Sequence, residues 1–216
     1  MDSQSFVKEL EASNSVLLEK FQAEDLGASD AAVVDVKQLL QIALANEISV
    51  SELAATWMPS TPEVDVKIAL AQQTGDEANH FSLVEARLQA LGISTAGFAP
   101  PAGNPLFDYL RSLEITVEKI AAGQFTLESI AYQVNERFMN YCMRVGEADT
   151  VKLYQNRIQP DELHHHRLGQ RLLEKYAITP EAQERARNAA AKTLEIASQA
   201  RLLTAQRLGT GCFPGC

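Results

Sequence analysis

Apolar residues recur along this chain at helical spacing, and it has few of the Thr/Val/Ile alternations that mark strands. The pattern predicts an all-α protein. Helix starts are written as Thr61-Pro62-Glu63, Asn104-Pro105 and Thr179-Pro180-Glu181, each a capping side chain followed by a proline at the first helical position. Asp30 and Asp149 are further candidate caps. Gly27, Pro59, Gly92 and Gly146 end or cannot continue a helix. These signals predict a short helix over 4–25, then helices over 31–57, 62–91, 105–145, 150–176 and 180–207. Gly123 predicts a kink or break within the fourth of these.

The connections shape the topology. Only a few residues link the second helix to the third and the fourth to the fifth, so each pair is expected as an antiparallel hairpin. The stretch from Gly92 to Asn104 is rich in glycine and proline and long enough to travel the length of a helix. Two hairpins joined by one long crossover, with extra helices at both ends, is the expected plan. Residues 1–208 are expected to form one domain, and 209–216 a flexible tail.

Composition narrows the partners. The chain has 216 residues, 46% of them hydrophobic, enough for a substantial core. With 28 acidic against 19 basic residues its formal charge is −9, which argues against a nucleic-acid partner. No apolar run is long enough to cross a bilayer, and the start lacks a basic segment leading into an apolar one, so a cytoplasmic protein is expected. The three cysteines, Cys142, Cys212 and Cys216, form no disulfide framework.

The chemistry lies in two repeats. Asp76-Glu77-Ala78-Asn79-His80 and Asp161-Glu162-Leu163-His164-His165 each place Glu and His at i and i+3, on one face of a helix and within reach of a common ion. Carboxylate oxygen and imidazole nitrogen suit iron and manganese. In the run His164-His165-His166, comparison with His80 selects His165 as the ligand. Two lone glutamates complete the set. Glu47 interrupts the apolar stretch Ile42-Ala43-Leu44-Ala45-Asn46-Glu47-Ile48, where a buried unpaired carboxylate is costly unless metal-bound. Glu128 has a similar setting, and its competitor Glu136 lies in the more polar Asn135-Glu136-Arg137. Glu47 and Glu77 lie at comparable distances from the turn near Ser60, and Glu128 and Glu162 from the turn near Glu147, so all four sit at similar depth.

Glu47, Glu77-x-x-His80, Glu128 and Glu162-x-x-His165 together resemble the ferritin-like di-iron carboxylate superfamily, over residues 30–176. The resemblance implies a ferritin-like four-helix bundle holding two iron ions, with Mn/Mn or Mn/Fe as alternatives. It also implies that Asp76 and Asp161 orient the ligand histidines. The expected function is a dinuclear non-haem oxidoreductase that activates dioxygen or peroxide, acts on a small organic substrate, draws on an external electron donor and works as a homodimer. A ferroxidase or iron-storage protein is the alternative, and a helical scaffold without metal the third reading. No paired Cys-x-x-Cys segments offer a rubredoxin-type iron site, which argues against a rubrerythrin-like peroxidase. Manganese catalase stays open. Val84 stands where the ribonucleotide reductase small subunit carries its radical tyrosine, and Tyr132 is the nearby tyrosine on a ligand helix.

Overall fold

The computed structural model describes the backbone of residues 1–25 and 34–215 and the side chains of 1–19 and 34–215. The expected stop at Gly27 and cap at Asp30, and the expected helix start at 31, lie outside the described residues, as does Cys216. Among the described residues there are helices and no strands: α1 (Ser3–Asp25), α2 (Val36–Trp57), α3 (Val64–Ala90), α4 (Pro105–Arg111), α5 (Thr116–Ile120), α6 (Glu128–Arg144), α7 (Ala148–Leu153), α8 (Gln159–Tyr176) and α9 (Pro180–Leu208). None of these is long and apolar enough to cross a membrane.

Two π-helical stretches, Ala121–Leu127 and Tyr154–Ile158, join α5 to α6 and α7 to α8 without interrupting the rods. Gly123 lies in the first of them. A Cβ there would stand 2.6 Å from the Trp57 ring, so the missing side chain makes room for that indole. Trp57 Nε1 in turn donates to the Leu110 carbonyl at 3.2 Å. The predicted helix over 105–145 is therefore interrupted at residues 112–115, before α5, and widened at Gly123.

Caps at Asn104 and Thr179 act as their sequence predicts, accepting from Leu106 N and Ala182 N. Thr61 does not cap α3. Its hydroxyl donates to the Trp57 carbonyl at 2.8 Å, closing the end of α2, and α3 begins two residues after the predicted proline. Asp149 does not cap either: α7 starts at Ala148, so Asp149 falls within its first turn.

Leu39, Leu40, Leu44, Val84, Phe138, Tyr154 and Ile158 belong to one apolar cluster. Leu53, Trp57, Leu70, Phe125, Leu172 and Leu173 belong to another. On α2, α3 and the rod ending in α8, the buried polar residues between these two groups include Glu47, Glu77, His80, Glu162 and His165, so a polar layer divides the core. α1 closes one side, burying Phe6, Val7, Leu10 and Leu18, and Asn14 donates to Thr126 in the first π stretch. α9 packs a stripe of small residues, Ala186, Ala189, Ala190 and Ala197, toward the same stretch.

The expected flexible tail is instead packed. Gly209, at φ 75°, ends α9 in the left-handed conformation that glycine adopts without strain. The chain then turns back so that Phe213 is buried. Arg201 pins it, donating to the carbonyls of Gly211, Phe213 and Gly215, each at 3.1 Å, while Gly215 N donates to Asn135.

Candidate metal centre

Helical spacing brings Glu77 and His80 to one face of α3, and Glu162 and His165 to one face of α8. α2 contributes Glu47 and α6 contributes Glu128 from its first turn. All six are buried, at 0–4% exposure. They form two overlapping sets: Glu47, Glu77, His80 and Glu162, and Glu77, Glu128, Glu162 and His165. Within each set the donor atoms lie within 4.8 Å of one another. Glu77 and Glu162 belong to both, so the motif glutamates lie between the two positions and the lone glutamates at the outside.

The histidines present Nδ1 to the carboxylates. His80 Nδ1 is 3.2 Å from Glu77 and 3.5 Å from Glu47, and His165 Nδ1 is 3.2 Å from Glu77 and 3.5 Å from Glu128. Their Nε2 atoms face the two aspartates in a crossed arrangement: His80 meets Asp161 at 3.1 Å, and His165 meets Asp76 at 3.0 Å. Each aspartate orients the histidine of the other motif. An aspartate at Nε2 keeps a proton there and turns the Nδ1 lone pair toward the glutamates.

Such a lone pair facing a carboxylate requires something positive between them. His165 Nδ1 and Glu77 Oε1 are both buried and without a hydrogen-bond partner among the described residues. Either protons or metal cations must occupy these positions. Protonation balances the cluster unevenly. Burial disfavours a charge on His80, but the carboxylates of Glu47 and Glu77 outweigh it and push its pKa up to about 12. His165 is raised in the same way against the cost of burial, by Asp76, Glu128 and Glu77. Burial, opposed by His80 and reinforced by Glu77, lifts Glu47 to about 7. Burial and repulsion from Glu77 and Glu128 hold Glu162 well above the usual carboxylate range. Glu77 is driven down, because the two imidazoles overcome its burial. Two divalent ions would neutralise four carboxylates without these unequal compromises, and a donor set of oxygen with one nitrogen per position suits a divalent transition metal.

Glu136 stands apart from this group. It is exposed and accepts from Gln159 Nε2 at 2.8 Å. His164 is exposed, and His166 donates through Nδ1 to the Phe125 carbonyl at 2.7 Å. Tyr132 is half-buried.

Sequence reasoning missed three neighbours. Gln73, one turn before Glu77 and buried, donates to Glu128. Tyr154 is fully buried with no hydrogen-bond partner for its hydroxyl among the described residues, and burial, then Glu47, raises its pKa well above the usual phenol value. Gly169 lets α8 touch the first π stretch: a Cβ there would lie 2.7 Å from the backbone of Gln124 and Phe125. The i, i+4 step from Gln73 to Glu77 could have flagged the first. The other two depend on tertiary packing.

Comparison with family models, with curated proteins and with solved structures finds no match.

Proposed function

We propose that this chain is a ferritin-like four-helix-bundle protein with a dinuclear iron or manganese centre, acting as an oxidoreductase on dioxygen or peroxide. One observation carries the reading: two four-donor sets, each with one imidazole, share Glu77 and Glu162 in a buried layer. The ligand helices would be α2, α3, α6 and α8, paired as two hairpins across the long connection of residues 91–104.

Glu47, Glu77, His80 and Glu162 would hold one ion, and Glu77, Glu128, Glu162 and His165 the other. Two such ions supply two-electron chemistry toward dioxygen or peroxide. The chain's own residues do the rest. Asp76 and Asp161 keep Nε2 protonated and Nδ1 aimed inward. Gln73 holds one oxygen of Glu128, limiting how that carboxylate can swing. The apolar clusters on both sides exclude water, which strengthens the electrostatics of the layer. Reducing equivalents would come from an external donor.

The test is oxygen uptake. Protein loaded anaerobically with two ferrous ions per chain and then mixed with oxygenated buffer should consume oxygen in proportion to bound iron, faster than free iron at the same concentration. Glu77→Ala should lose that advantage. Uptake no faster than free iron, at two bound ions per chain, would overturn the reading.

A further inference from the structure

A cavity of about 500 Å³ lies beside the carboxylate layer, between α2, residues 98–106, α9 and the C-terminal segment. That volume suits a small organic ligand. Its wall is mostly apolar, with Ile42, Phe98, Leu106 and Phe213 supplying side chains, and no Asp or Glu stands among its described lining residues. In a chain of net charge −9 that sign selection is informative. Phe213 is held in place by Arg201, whose guanidinium lies 3.9 Å from the centre of the ring, so this wall is fixed.

Two polar side chains in the lining matter most. Arg207 is exposed and has no ion pair or hydrogen bond among the described residues. Its place in the last turn of α9 suits the helix dipole, yet its planar donors stay available to a ligand. Asn46, 9% exposed, also lines the cavity. Asn46 also lines a second, small void of about 10 Å³ together with Glu47, Glu77, Glu128 and Glu162. Gly215 lines that void too, and a Cβ on it would come within 2.6 Å of the Asn46 amide nitrogen. The larger cavity thus carries the exposed Arg207 and, through Asn46, adjoins the candidate metal centre.

We propose that this cavity binds a small organic carboxylate with an apolar body, its carboxylate on Arg207 and its opposite end against Asn46. The inference deepens the proposed function, and rests on it for the meaning of the inner end, by naming a substrate class. A carboxylate at Arg207 makes a charge-assisted, bidentate contact, and the body occupies the apolar wall.

Calorimetry on the full chain tests it, with 4-phenylbutanoate and 4-phenylbutan-1-ol as probes and metal content measured on the same samples. The carboxylate should bind one per chain, about tenfold or more tighter than the alcohol. Arg207→Ala should bring it down to the alcohol's affinity. Ala200→Trp, which fills the cavity, should abolish both, with helix content unchanged by circular dichroism. If that variant does not fold, Ala45→Leu fills the same space. Equal affinity for both probes, or tight carboxylate binding that survives Arg207→Ala, would overturn the proposal. Protein that holds two metal ions and binds neither probe refutes the cavity and leaves the metal centre standing. Protein that binds the carboxylate as described and takes up no metal refutes the centre and supports the cavity.

Discussion

Asp161 Oδ2 lies 3.1 Å from His80 Nε2, so the aspartate that precedes one Glu-x-x-His motif orients the histidine of the other. Asp76 returns the contact on His165 at 3.0 Å. The two helices are thereby tied together through the groups that aim the imidazoles. Neither aspartate belongs to a four-donor set.

The exchange makes a specific expectation for Asp161→Asn. It should weaken metal binding about 10- to 100-fold, and it should do so at the set containing His80. In a double-mutant cycle, Asp161→Asn should add little to His80→Ala but its full effect to His165→Ala. Chelator competition measures each affinity. Coupling to His165 instead would mean that the aspartates serve their own motifs.

That Glu47, Glu77, His80, Glu128, Glu162 and His165 converge was legible in the sequence because helix periodicity fixes which side chains share a face, and the turns near Ser60 and Glu147 fix their depth. The choice of Glu128 over Glu136 was legible from polarity, since an exposed Glu136 sits among polar neighbours. The crossed aspartates were not, because which histidine an aspartate reaches depends on how two helices are rotated against each other. Nor were the π-helical stretches. Their register answers to tertiary demands, the Trp57 ring over Gly123 and the close approach of Gly169, which no local pattern records. The tail misled for a similar reason: Gly and Pro signal irregular backbone, and the carbonyls of that backbone are what Arg201 binds.

Gly169 and Gly75 make a contrasting pair. Gly169→Ala drives a methyl to 2.7 Å from the backbone of Gln124 and Phe125, and backbone yields poorly. It should cost about 1–3 kcal/mol of stability. Gly75→Ala, inside α3 with nothing within 4 Å of its Cβ position, should gain about 0.5–1 kcal/mol from helix propensity. Urea midpoints at unchanged slope measure both. A neutral Gly169→Ala would mean that the two rods can separate at no cost.

Cys142 is fully buried, and burial, then Glu147, pushes its thiol up to about 12. At pH 8 its thiolate fraction is on the order of 10⁻⁴, so iodoacetamide should modify the partly exposed Cys212 and reach Cys142 only after unfolding. A raised thiol also gives the sign of a stability effect. The folded state keeps the proton longer than the unfolded one, so this contribution is intact below the ordinary thiol value and is lost as pH rises from there toward 12. Cys142→Ala should flatten that alkaline loss, as followed by thermal melts from pH 8 to 11. Native-state labelling of Cys142 at pH 8 would contradict the assignment.

A dinuclear site built from six residues, with Glu77 and Glu162 shared between the positions, would have a metal stoichiometry that single substitutions change in steps. Elemental analysis after loading with ferrous iron or manganese and removal of free metal counts the ions. The wild-type chain should retain two ions. Glu47→Ala and Glu128→Ala should each retain one, and Glu77→Ala neither, with helix content preserved. A folded wild-type chain that retains no metal, or a Glu77→Ala variant that still holds two ions, would contradict it.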